Sequence, residues 1–156
     1  MLRLLAATLF LLLAGCASVQ TGMTREQVLA AWGQPTRSVA LRDGQRLQYS
    51  QQPSGQQVVM VDLDAGGKVR DVRQVMARSE FQRIATDGSW TRADVEREFG
   101  PAPDNERVSS WNGPILTYRW REGMIDLYYW VYLDPAGVVR RAHEGLDWRN
   151  MRHTIN

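Results

Sequence analysis

Cysteine, histidine and lysine are scarce in this sequence, and each shortage removes a class of function. Cys16 is the only cysteine, so no disulfide can form within the chain and packing alone must hold it together. His143 and His153 are the only histidines, and with no cysteine free to join them a zinc site lacks its ligands. Lys68 is the only lysine, and basic and acidic residues nearly balance at 19 and 17. The basic residues do not cluster, so a pI of about 9.0 is no mark of a nucleic-acid binder. Catalytic motifs are missing as well. There is no Gly-x-Ser-x-Gly. Gly66-Gly67-Lys68 lacks the phosphate-loop spacing. Asp62-x-Asp64-x-Gly66 has Arg73 where a calcium loop would carry its bidentate glutamate. The carboxylates alternate with arginines, as on solvated faces. These absences argue against an enzyme, a cofactor and a small-molecule substrate.

Long apolar runs are also absent. Leu4 to Leu13 is apolar but falls well short of the roughly 20 residues that span a bilayer. Behind the basic start Met1-Leu2-Arg3 it has the length of a signal-peptide core. It ends in Leu13-Ala14-Gly15-Cys16, which resembles the lipobox of bacterial lipoproteins. That resemblance implies cleavage before Cys16 and fatty acylation there, leaving residues 1–15 as signal peptide and 16–21 as a lipidated tether. Ala17 is not the aspartate that retains such proteins in the inner membrane, which implies the periplasmic face of the outer membrane. Six residues reach at most about 20 Å, so the folded part sits close to the lipid.

What the chain does have is one pattern written twice. Thr24 and Thr91 read as helix N-caps, with Gln27 and Asp94 at the third helical position to complete a capping box. Met23 with Val28, and Trp90 with Val95, have hydrophobic-staple spacing. Gly33 and Gly100 stop each helix, with Pro35 and Pro101 close behind. Downstream, Leu47-Gln48-Tyr49 is answered by Leu116-Thr117-Tyr118, and Val61 to Arg70 by Val131 to Arg140. Strand patterns follow each helix: Ser38 to Leu41, Arg46 to Gln51, Val58 to Leu63 and Lys68 to Met76 in the first copy, with the plan repeated in the second. Between the copies, Glu80 to Ala85 reads as a short helix opening the second unit, with a plain linker as the other reading. Trp32 aligns with Phe99 and is expected in the core.

A Gly22-Met23-Thr24 helix start, closed by Gly33-x-Pro35 and followed by a meander, resembles the SmpA/OmlA (BamE-like) family of outer-membrane lipoproteins. The resemblance implies an α+β fold of two tandem modules, each two short helices packed on one face of a three-stranded antiparallel sheet. The modules are expected at 22–76 and 77–145, with 146–156 a solvated tail. They are expected to pack on each other. The implied function is that of a non-enzymatic accessory or scaffold in envelope β-barrel assembly. It would contact the membrane through Cys16 and an envelope protein through its surface. The tandem arrangement is also similar to that of the β-lactamase inhibitor proteins, which implies the alternative of a binder of a periplasmic enzyme.

The strand Met124 to Leu133 is where a contact surface is expected. Ile125, Leu127, Tyr129, Val131 and Leu133 point one way, toward the helices. Tyr128, Trp130 and Tyr132 point the other way, with Trp111 at the rim in a turn. Either this aromatic face is open to a partner, or it packs on the first module or the segment around Trp148. In the first copy the matching face is bland, with Val58, Met60 and Asp62. Tyr118 and Trp120 read as core.

Overall fold

A computed structural model of the chain describes residues 18–147; Cys16 and Trp148 lie outside them. The element order is α1 (Arg25–Trp32), β1 (Arg37–Leu41), β2 (Gly44–Ser50), β3 (Val58–Asp64), β4 (Val69–Gln74), α2 (Arg78–Phe81), α3 (Arg92–Phe99), β5 (Asp104–Glu106), β6 (Ile115–Glu122), β7 (Ile125–Leu133) and β8 (Val139–Leu146). The strands form two antiparallel sheets, β1-β2-β3-β4 and β5-β6-β7-β8. The expectation of three strands per sheet is therefore corrected to four. The first unit also has one helix among the described residues, α1, and not two; α2 and α3 both precede the second sheet.

Both capping boxes form. Thr24 Oγ1 accepts from the Gln27 N–H at 3.3 Å, and Gln27 Oε1 accepts from the Thr24 N–H at 2.8 Å. The same pair joins Thr91 and Asp94 at 3.4 and 2.8 Å. Each helix start is strapped to the hairpin turn of its own sheet, through bridges Thr24↔Lys68 and Thr91↔Val138. Each helix end is held by a tyrosine from the second strand of the sheet's main meander. Tyr49 donates to the Gly33 carbonyl at 3.0 Å, and Tyr118 to the Gly100 carbonyl at 2.8 Å. Gly44 and Gly113 occupy matching places at φ 147° and 152°, where a Cβ would fall 1.9 Å from the Leu63 carbonyl oxygen and 2.0 Å from that of Leu133. Only glycine fits such an approach.

The two faces of the first sheet have different partners. Leu47, Val61, Leu63 and Val69 pack with Val28 of α1 and with Val19. Val58 and Met60, on the opposite face, join Phe81, Val95 and Phe99 of α2 and α3 and the inner face of the second sheet in one buried cluster. The layers thus run helix, sheet, helices, sheet. The supposedly bland face of β3 is buried: Val58 and Met60 are 1% exposed and Asp62 6%. A strand covered on both faces reads as nearly continuous apolar sequence, which is how Val58 to Leu63 is composed. Trp32 corrects another expectation. At 37% exposed it lies at the margin of α1 and meets Tyr49 edge-on at 5.4 Å, while its counterpart Phe99 is fully buried.

A buried ionic junction ties the layers together. Arg46 forms a two-pronged pair with Asp62 at 2.6 and 2.8 Å and meets Glu98 at 3.0 Å. It also donates to the Arg97 carbonyl at 3.1 Å. Gln48 donates to the carbonyls of Glu96 and Arg97 at 2.9 and 3.0 Å. Both carbonyls belong to the last turn of α3, where that of Glu96 also accepts from the Gly100 N–H at 3.0 Å, and a guanidinium there suits the negative end of the helix dipole.

Candidate interaction surface

The inner face of the second sheet is filled. Leu116, Tyr118, Trp120, Leu127, Val131 and Leu133 lie in the core, and Tyr129 stacks on Phe81 with ring centroids 4.1 Å apart. Ile125, expected on that face, is 55% exposed because it sits at the strand's start, opposite Glu122, beyond the reach of the helices.

The outer face is built by β6, β7 and β8 in register. Thr117 faces Trp130 and Arg119 faces Tyr128 across β6–β7. Trp130 faces His143 and Tyr132 faces Arg141 across β7–β8. The side chains form a ladder. Arg141 stands over the Tyr132 ring at 5.1 Å, Tyr132 stacks on His143 at 5.2 Å and 18°, His143 meets Trp130 at 5.3 Å, and Trp130 meets Tyr128 at 5.5 Å. Gly145 leaves room for the Trp130 ring, since a Cβ there would come within 2.6 Å of it. Trp111 packs edge-on against Tyr132 at 5.3 Å and donates its indole N–H to the Leu133 carbonyl at 2.7 Å. Beside Trp111 opens a recess of about 390 Å³ bordered by Val108 and Asn112.

The candidate residues therefore do come together, with two corrections. Tyr128 is buried at 5% exposure, not presented to solvent. Trp111 is half-buried, because its indole is used to fix the turn. Trp130 and Tyr132 are half-buried, with part of each ring accessible. His143 and Arg141 belong to the same surface and escape a reading of the sequence alone. A plain hairpin register would pair Tyr132 with Arg140; the bulge between Tyr132 and Leu133 shifts the pairing by one. Burial, then the charge of Arg141, pushes the His143 imidazole below its ordinary value, so it is neutral at pH 7.

One edge of this face is sealed by the first unit. β5 covers β6 only from Ile115 to Thr117. Past it, the Gln52 side chain pairs with the open backbone of Arg119, donating at 2.7 Å and accepting at 3.0 Å. An exposed strand edge invites unwanted pairing, and Gln52 blocks it. The Arg119 guanidinium meets the Pro53 carbonyl at 2.9 Å and Asp147 at 2.9 Å. Among the described residues no three histidine, cysteine, aspartate or glutamate side chains gather as a metal site, and no helix is long and apolar enough to cross a membrane.

Comparison with known proteins adds the following. No curated protein matches the chain. A solved structure of a DUF4309 family protein, YjgB, from Bacillus subtilis is similar over 80% of this chain and 78% of its own, at 16% identity and a TM-score of 0.29, too low to support any argument. Residues 14–73 match the outer membrane protein assembly factor BamE domain, a stretch that holds α1 and the first sheet up to the last residue but one of β4.

Proposed function

We propose that this chain is a non-enzymatic accessory lipoprotein of outer-membrane β-barrel assembly, anchored through Cys16 on the periplasmic face and acting by protein contact. The observation that carries the reading is the assembly-factor domain match over residues 14–73, which starts within the lipobox-like Leu13-Ala14-Gly15-Cys16. Val19 is buried against the first sheet. The free tether then shrinks to residues 16–18, about 10 Å at full stretch, and holds the first sheet at the membrane surface.

We further propose that residues 22–76 and 77–145 are copies of one module. The paired capping boxes, the two tyrosine-to-glycine bonds and the paired glycines at Gly44 and Gly113 support this. The bulges at Asp62/Leu63 and Tyr132/Leu133 fall at the same place in each sheet. In this arrangement the first copy spends its outer face on the second copy's helices. The second copy keeps its own face, with Trp130, Tyr132, Trp111 and the buried Tyr128 beneath, for a partner.

Crosslinking the lipidated protein in intact membranes tests the proposal. Barrel-assembly components are the expected partners, and Cys16→Ala is expected to release the protein from membranes with its fold unchanged by circular dichroism. Recovery of a soluble periplasmic enzyme in their place would overturn the assembly reading. Membrane retention of the Cys16→Ala variant would overturn the anchor.

A further inference from the structure

The second unit builds a socket and fills it from its own chain. The Phe81 ring of α2 stacks on Tyr129 with centroids 4.1 Å apart, lies 5.2 Å from Phe99 at 16°, and meets Trp120 edge-on at 5.5 Å. It is 1% exposed. The first unit repeats the walls of this socket. Its register pairs Tyr49 with Val59 as the second pairs Tyr118 with Tyr129, so Val59 stands for Tyr129. Two residues beyond each tyrosine, Gln51 stands for Trp120. Ahead of each helix-ending glycine, Trp32 stands for Phe99. Val59, Gln51 and Trp32 line one open recess of about 460 Å³. It lies on the α1 side of the first sheet, where Tyr49 and Val59 border the core. Walled but open, the recess leaves Trp32 37% exposed where Phe99 is fully buried.

The chain around α1 brings no ring to this place. In the second unit Phe81 stands three residues ahead of Ile84. Val19 matches Ile84: each is 7% exposed and packs in the core of its own unit ahead of the capped helix. Three residues ahead of Val19 stands Cys16, and no aromatic residue lies between Cys16 and Thr24. The proposed anchor cysteine thus takes the position of the phenylalanine. Acyl chains on it gain more in the bilayer, which buries every methylene, than in a recess with one side in water. After Cys16 the sequence has two phenylalanines, Phe81 and Phe99, and both are buried, so a second copy has none to offer. No charged residue lines the recess. Its floor of Trp32, Tyr49 and Val59 suits an aromatic ring. The side-chain amides of Gln34, Gln51 and Gln57 at its border can bond the backbone that carries such a ring.

We infer that the recess beside Trp32 receives a short helical turn of a protein partner, which seats one aromatic ring against Trp32 and Val59 as α2 seats Phe81 against Phe99 and Tyr129. This rests on the reading of the two units as copies and of the chain as acting by protein contact. It names the contact: an uncharged turn of helix with a phenylalanine-like anchor, completing the first unit from outside.

The test uses the full-length lipidated chain in its own membranes. A diazirine amino acid is placed at Gln34, an exposed residue of the recess border. A control probe goes at exposed Ala65, in the turn between β3 and β4. Mass spectrometry then locates the adduct. The expected adduct lies on a helical segment of another protein, within one turn of a phenylalanine, tyrosine or tryptophan, and is absent from the control. Gln51→Trp puts the second unit's own residue type at the matching position, and Gln57→Trp fills the recess from the other strand. Each is expected to cut the Gln34 yield about tenfold, since losing the pocket of a buried anchor costs at least that much. Both glutamines are exposed, so neither variant is expected to move the melting temperature by more than about 2 °C. An adduct on residues 148–156, on a second copy, on lipid alone, or on a protein segment without an aromatic residue would overturn the inference. So would wild-type yield in both tryptophan variants, or no adduct at Gln34. Those failures leave the proposed function standing if barrel-assembly components are still crosslinked elsewhere on the chain. An aromatic-anchored adduct on a soluble periplasmic enzyme would uphold the recess and sink the assembly reading.

Discussion

Replacing Arg46 by methionine is the sharpest test of how the layers are held. The substitution keeps much of the side-chain volume and deletes the charge. Arg46 is 5% exposed and Asp62 6%, so the Asp62 carboxylate would be left buried without the fork that satisfies both of its oxygens. Glu98 would lose a partner at 3.0 Å and the Arg97 carbonyl a donor. Breaking a buried pair from one side costs about 3–5 kcal/mol, a large share of the roughly 5–15 kcal/mol that holds a domain folded. At about 2–4 °C per kcal/mol for a chain of this size, the melting temperature should fall by about 6–20 °C. The companion variant Arg46→Met/Asp62→Leu removes the stranded charge and should recover much of the loss. Acid sensitivity gives a second signature. Burial raises the Glu98 carboxyl, but Arg46 and Arg97 outweigh it and hold it below its ordinary value of 4.5. A depressed carboxyl adds stability above that value and loses it as pH falls through the folded one. In Arg46→Met this acid-side loss should shrink. Thermal melts by circular dichroism between pH 7 and pH 3 measure both effects. A fall of less than about 2 °C at pH 7, or a double variant less stable than Arg46→Met, would refute the reasoning.

Three further outcomes follow from the same contacts. Gly44→Ala and Gly113→Ala should each destabilise strongly and to similar extents in urea melts, because each new Cβ meets a carbonyl oxygen at about 2 Å in a backbone region that penalises side chains; tolerance of either would contradict the approach described. Thr24→Ala and Thr91→Ala should each cost about 1 kcal/mol by the same assay, and equal stability to wild type would mean the capping boxes are idle. His143→Phe should flatten the pH dependence of stability below pH 6.5: its folded value is lowered from 6.5 by burial and by Arg141, so wild type loses stability as pH drops below that point, and an unchanged slope would place the imidazole in water.

The local pieces of the fold were legible because they are short-range. Thr24 with Gln27 and Thr91 with Asp94 sit three residues apart, and the hydrogen bonds they predict form. The alternation in β7 sorted Leu127, Val131 and Leu133 from Trp130 and Tyr132 correctly, because side chains in a strand alternate whatever lies above them. The aromatic surface was legible to the same degree, as a row along one strand. Arg141 and His143 were not, since a one-residue bulge decides what faces Tyr132 and Trp130.

The sequence by itself determined where α1 and α3 start and stop and which residues share a strand face, but it placed the short helix α2 at Glu80 to Ala85, and the structure has it at Arg78–Phe81. Only the tertiary structure decided which faces are covered. Val58 and Met60 look no different from residues of a half-exposed strand until α2 and α3, some 20 to 40 residues later in the chain, close over them. Tyr128 looks as exposed as Trp130 until its neighbours bury it. Alternation tells which side a residue points to, but burial depends on what arrives on that side, and that is set by packing between elements far apart in sequence.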